Sequence, residues 1–240
     1  MVAVDDGAFR RRQRWAPVIG VVFSTPDRIE GVLRARVRVD GTDATDRISD
    51  MLTRAPHLEG VRAILVDGVC FGGFNVLDLD RLAVRTGRPV IALTRRTPDF
   101  RRIRAALRQW FPRDHAARYR RLSAHRLFRV RTPVTPIWAA VAGCPRRDAA
   151  VLVARTTTVG SWPEPLRVAH LIGHAWGSPL PRLARRVRRG GKAAARGGNG
   201  PGRSAVPGTN RSGKPKRRPR RSATRMSAAV RSRRSAARTR

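Results

Sequence analysis

VRAILVDGVCFGGFNVLDLD, residues 61–80, is the stretch whose reading decides the fold. Residues 61–66 form a compact apolar run that stops at Asp67-Gly68, a buried strand followed by turn chemistry. After the glycine-rich Phe71-Gly72-Gly73, a helix is predicted over residues 75–86, with Gly87 closing it. A second buried-type strand follows over residues 89–94, then a helix over residues 100–110. Buried strands alternating with helices are the pattern of βαβ crossovers, which place helices on both faces of a sheet.

Upstream the period changes. Residues 2–4 are a short apolar run ending at Asp5-Asp6-Gly7, and residues 17–24 are β-branched, bounded by Thr25-Pro26-Asp27. Over residues 29–39, Val32, Leu33, Ala35, Val37 and Val39 interleave with Arg34, Arg36 and Arg38, a strand with one wet face. Three strands with short turns predict an antiparallel meander. Asp43 or Thr45 caps a helix whose apolar positions are Ile48, Met51 and Leu52. Downstream, residues 137–142 read as a strand. Residues 145–155 and 163–176 read as helices with proline near their starts. The fold class expected is α/β: a mixed sheet, a three-strand meander feeding βαβ units, with helices on both faces.

Charge divides the chain in two. Of 52 Lys and Arg, 21 fall in residues 179–240, which contain no acid; residues 1–178 hold 31 against all 16 acids, a net of +15. The later segment is Gly-, Pro-, Ser- and Ala-rich and lacks apolar periodicity, so a domain over 1–178 and an arginine-rich disordered tail over 179–240 are expected. Such basicity points to polyanions, because neutralising phosphates releases counterions. A GC-rich coding bias explains the same composition, since all three lysines (Lys192, Lys214, Lys216) lie in the tail. Cys70 and Cys144 are too few for a disulfide framework and fit a reducing cytoplasm. No signal peptide or membrane span is expected, and a monomer is the default.

Sites in such sheets form at the carboxyl ends of parallel strands. Asp5 ends the first strand, Asp67 ends the fourth, and Asp43 opens the helix between them. With the first and fourth strands adjacent, the three carboxylates converge on one edge and call for a hard cation, Mg²⁺ or Mn²⁺. Each also has a plain structural reading, Asp-Gly as a turn and Asp43 as a helix cap.

VAVDDGAF (2–9), VDGTDAT (39–45), ILVDGVCFGGFNVLDLD (64–80), GRPVIALTRRTPDF (87–100) and WPEPLRVAH (162–170) resemble the family of archaeal proteins related to endonuclease V, which includes a member described as endonuclease dU. The resemblance covers about residues 1–178 and is strongest over 41–99. It implies a ribonuclease H-like fold and metal-dependent cleavage of strands carrying deaminated bases, in DNA repair. It matches the acids of endonuclease V to Asp5, Asp43 and Asp67, and its lysine to Arg95. Its Pro-Glu-Pro-hydrophobic-Arg helix matches Pro163-Glu164-Pro165-Leu166-Arg167 and His170, read here as structural docking. Its active-site histidine, expected after a late strand, falls near Gly143-Cys144-Pro145, so that Cys144 replaces it beside the carboxylates. Its strand-separating Pro-Tyr-Ile-Pro wedge has no counterpart before Asp43.

Gly68, Gly72 and Gly73 would let backbone approach an extruded base, with Phe71 or Phe74 stacking on it; both phenylalanines also read as core. Asn75, Asp78 and Asp80 read as helix-start residues. His57, His115 and His125 read as surface positions. The partner expected is DNA, with RNA as the alternative. A non-catalytic nucleic-acid binder on the same fold is the rival class.

Overall fold

The computed structural model describes residues 1–10, 12–56 and 58–177. The predicted tail and the surface assignment of His57 lie outside these residues. The elements are β1 (Val2–Asp6), β2 (Trp15–Thr25), β3 (Arg28–Arg38), α1 (Ala44–Thr53), β4 (Ile64–Asp67), β5 (Cys70–Phe71), β6 (Asn75–Val76), α2 (Leu79–Thr86), β7 (Val90–Thr94), α3 (Phe100–Trp110), α4 (His115–Leu122), β8 (Phe128–Val130), β9 (Ile137–Ala142), α5 (Arg146–Thr156) and α6 (Glu164–Gly177).

Seven strands form one sheet in the order β3-β2-β1-β4-β7-β9-β8. β1, β2 and β3 are the antiparallel meander. β1, β4 and β7 run parallel, and β9 and β8 complete the sheet antiparallel. A meander leading into parallel strands, with helices on both faces, is the ribonuclease H-like arrangement.

The period-two alternation of the buried strands sorts the core into two layers. Val2, Val4, Ile64 and Val66 face α1 and α2, packing with Ile48, Leu52, Leu79 and Leu82. Ala3, Ile19 and Leu65 face the other way, onto Val153, Leu166 and Ala169 of α5 and α6. β3, an edge strand, buries Val37 and exposes Arg34, Arg36 and Arg38, the wet face expected from its alternation.

Several elements escaped the sequence reading. The segment predicted as one helix from residue 75 opens instead as the two-residue strand β6, paired with β5 in a hairpin, and α2 starts four residues later. Asp78 caps α2 by accepting from the Arg81 amide, and Gly87 closes it at φ 63°. The hairpin's second strand opens with Asn75, whose side chain is tied into the α1 loop, so local helix propensity gives way to tertiary bonds. α4 and β8 were also missed. α4 carries one charged side chain inward: Arg118, 6% exposed, bonds Asp114 and the carbonyls of Gly41 and Phe74, with its guanidinium over Phe111. No helix among the described residues is long and apolar enough to cross a membrane.

Candidate metal centre

β1, β4 and β7 end together on one edge of the sheet, where parallel pairing aligns their carboxyl termini. Asp5 is in phase with Ala3 and Asp67 with Leu65, so both side chains project onto the face covered by α6. Asp5 is 1% exposed and accompanied by His170, whose Nδ1 lies 2.8 Å from Asp5 Oδ2. Asp5, Asp67 and His170 each offer a ligand atom, and the three atoms lie within 4.8 Å of one another. Two carboxylates and an imidazole converging at this separation can hold one divalent cation.

α6 reaches the site through a close backbone approach. A Cβ on Gly7 would stand 2.5 Å from the Gly173 carbonyl oxygen, and a Cβ on Gly173 would stand 3.1 Å from Gly7 Cα. Glycine at both positions lets the helix lie against the chain leaving β1, one turn beyond His170. Leu166 and Ala169, fully buried, fix the helix to the sheet, and burial of a leucine contributes roughly 2 kcal/mol. At its first turn Glu164 bonds Arg167, which holds the glutamate carboxyl below its ordinary range. The docking reading therefore holds for Pro165 and Leu166, both buried in α6, and must be corrected for His170, which faces the carboxylates.

Asp43 is not in this group. Where three carboxylates were expected, the ligand atoms that lie within 4.8 Å of one another are those of Asp5, Asp67 and His170. Asp43 stands at the head of α1, whose apolar side packs on the opposite face from Asp5 and Asp67. Its Oδ1 accepts from the Arg38 amide at 3.0 Å and from Asn75 Nδ2 at 2.7 Å, and its Oδ2 lies 3.5 Å from Arg47 Nε. Asn75 Oδ1 in turn accepts from the Ala44 amide. Asp6, in the opposite phase to Asp5, accepts from the Gly72 amide, and Asp40 accepts from the Phe74 amide.

Cys144 is not at the site either. β9 runs antiparallel to β7, with Ala142 opposite Val90, the first residue of β7. Gly143 and Cys144 therefore lie at the far edge of the sheet, and Cys144 packs against the α5–α6 core layer. Burial and the Asp148 carboxylate push its thiol upward, away from a reactive thiolate.

Arg95 follows β7 at the same edge as Asp5 and Asp67, exposed, with its guanidinium 4.2 Å from the ring centroid of Trp162. The glycines behave differently from one another. Gly68, beside Asp67, has φ 76° and open space where a side chain would stand. Gly72 and Gly73 are close-packed: added Cβ atoms would meet Ala16 Cβ at 3.0 Å and Asp40 Oδ1 at 2.3 Å. Phe71 is fully buried in the α1–α2 layer and presents no ring face to a base, which settles its two readings in favour of core. Phe74 packs edge-on to Phe111. The pocket expected at Gly68, Phe71, Gly72 and Gly73 thus reduces to Gly68. His125 is half-buried and pairs with Asp80 at 3.2 Å.

Residues 1–176 match the family described as endonuclease dU. The chain belongs to the endonuclease dU family. Among relatives, the UPF0215 protein of Methanothermobacter thermautotrophicus is 43% identical over 174 residues, spanning 72% of this chain and 84% of its own. The UPF0215 protein of Methanosarcina acetivorans is 39% identical over 175 residues, spanning 72% and 87%. Among solved structures, a protein of unknown function from Archaeoglobus fulgidus aligns with a TM-score of 0.66 at 29% identity, covering 74% of this chain and 98% of that one. These alignments place the endonuclease dU domain within the described residues.

Proposed function

We propose that this endonuclease dU family member hydrolyses phosphodiester bonds in DNA beside deaminated bases, uracil or hypoxanthine, using Mg²⁺ or Mn²⁺ held by Asp5, Asp67 and His170. The observation that carries the reading is the convergence of those three ligand atoms within 4.8 Å at the carboxyl edge of the sheet. The donor set fits the ion. Carboxylate oxygens suit hard cations, and one imidazole extends the preference toward Mn²⁺. Bound there, the ion would lower the pKa of water and stabilise charge developing on the phosphate.

The protein's own residues supply the rest. Asp5, held against His170 in a buried position, keeps its carboxylate orientation without cost to side-chain entropy at binding. Arg95, stacked on Trp162, presents a fixed cation at the end of β7 for a phosphate oxygen. Gly68 leaves backbone room next to Asp67 for the nucleotide. In this reading Asp43 orders the start of α1.

The test is cleavage of labelled DNA and RNA oligonucleotides containing uracil, hypoxanthine or no lesion, with Mg²⁺, Mn²⁺ or chelator. Metal-dependent nicking of lesion-bearing DNA is expected. Equal cutting of RNA would move the substrate to RNA. Binding without cutting under every metal condition would make the protein a non-catalytic binder and overturn the proposal. Calorimetric titration with Mn²⁺ gives an independent readout of the site.

A further inference from the structure

Trp15 opens β2 and pairs with Arg38, the last residue of β3, beyond the point where Asp6 pairs with Val18. It therefore lies at the same edge of the sheet as Asp5. Three guanidinium groups surround its half-buried indole: Arg14 at 5.7 Å, Arg38 at 5.6 Å and Arg47 at 5.6 Å from the ring centroid. They come from the loop before β2, from β3 and from α1, and all three arginines are exposed. Among the described residues Arg47 alone of the three has a carboxylate partner, Asp43. Each cation–π contact contributes roughly 0.5–1 kcal/mol at an exposed position, and the cluster concentrates positive charge around a flat apolar surface.

The cluster continues toward the metal centre. Arg34, Arg36 and Arg38 share the wet face of β3, spaced about 6.6 Å apart. Arg34 pairs with Ile19, and Ile19 pairs with Asp5, so Arg34 stands two strands from the site, about 10 Å across the sheet. Its guanidinium lies 5.5 Å from the ring centroid of Trp176 on α6, 59% exposed. Two tryptophan–arginine clusters thus mark one path along β3 that ends beside the carboxylates. A chain alternating anionic groups and flat rings is the partner whose chemistry fits.

We propose that Trp15, with Arg14, Arg38 and Arg47, is a stacking and phosphate-binding subsite for a nucleic-acid strand that runs along β3 into the metal centre. The proposal rests on the nuclease reading for its direction, and its test does not need cleavage. Stacking on an aromatic ring is tolerant of base identity, so the subsite adds affinity without sequence preference.

Binding of a labelled single-stranded oligonucleotide by the full-length protein, carrying Asp67→Asn to prevent cutting, is followed by anisotropy across a salt series. Trp15→Ala is expected to weaken binding about tenfold, and Trp15→Phe to restore most of it. Arg14→Ala with Arg38→Ala is expected to reduce the salt slope by about 1.4, two phosphate contacts fewer. The matched control is Arg62→Ala with Arg147→Ala, exposed positions at the opposite edge. Unchanged affinity in Trp15→Ala, or equal losses in the control pair, overturns the subsite. Circular dichroism checks the fold; should Trp15→Ala unfold, the Trp15→Phe and arginine variants decide. Wild-type cleavage in the presence of an unaffected Trp15→Ala leaves the nuclease reading standing alone. Lost binding in Trp15→Ala, with no wild-type cleavage of any substrate, keeps the subsite and removes the nuclease.

Discussion

Asp5 and Asp6 are neighbours in the chain and end in different chemistries. The alternation of β1 sends Asp5 toward α6, where Asp67 and His170 meet it, and sends Asp6 toward α1, where it accepts from the Gly72 amide. The α6 face gathers ligand atoms from three elements. On the α1 face Asp6, Asp40 and Asp43 act as acceptors for the amides of Gly72, Phe74 and Arg38, and Asn75 links α1 to the hairpin. Both faces are rich in acid at the same edge. On one face the carboxylates meet backbone amides and on the other they meet further ligand atoms, so acid content alone does not locate a site.

The largest effect that would sharpen this contrast is at Asp67. Asp67→Asn is expected to lower metal-dependent cleavage by at least roughly a hundredfold, since ligation supplies several kcal/mol. The melting temperature should hardly move. Retained cleavage would show that the α6 face is not the centre. His170→Ala is next, with a loss of about 10- to 100-fold in Mn²⁺ affinity by calorimetry, the range for residues that ligate or orient ligands. If His170 were only a docking residue, stability would fall and metal affinity would not.

Asp43→Asn tests the other face. The expected outcome is a loss of about 1 kcal/mol in denaturant unfolding, from weakened bonds to the Arg38 amide and Asn75 and a lost Arg47 ion pair, with cleavage retained. Abolished cleavage with stability unchanged would transfer Asp43 to the metal centre and break the comparison. Cys144→His at the opposite edge is expected to leave cleavage as it was.

The smallest effect concerns Cys70, on the α1 side beside Asp6. Burial, with the Asp6 carboxylate adding to it, pushes the Cys70 thiol up to about 12. A thiol raised in the folded state is protonated below its unfolded pKa, so its stabilising contribution is full below about pH 9 and is lost as pH rises toward 12. Cys70 should therefore resist a thiol reagent at pH 8. Cys70→Ala should flatten the alkaline limb of a stability–pH curve, and a limb of unchanged steepness would count against this environment.

Much of the fold was legible because it follows from period. The arginine–aliphatic alternation of β3, the apolar runs of β4 and β7, and the boundaries of α3 and β9 are local properties that the structure reproduces. The hairpin β5–β6 was not legible, because Asn75 is positioned by Arg38, Asp43 and Ala44, more than thirty residues away. At the site, strand ends gave Asp5 and Asp67. His170 was lost because its helix also carries Leu166 and Ala169, the ordinary marks of docking. A signal was available, since His170 and His174 sit one turn apart on α6 and their rings stack 6.3 Å apart. Cys144 was misplaced because the direction of a strand is not written in its apolar run: β9 returns antiparallel and puts its end at the other edge.

Asp5 and His170 are 165 residues apart, and that interval carries a consequence for how the protein comes into being. During synthesis β1 emerges first, and nothing before α6 can complete the ligand set. A growing chain can form its sheet and the α1–α2 layer while lacking the imidazole. Closing so long an interval is slow compared with forming the meander, because loop entropy must be overcome before the contact returns anything. On the proposed reading the ligand set is thus completed by the last described helix, as a late event in folding.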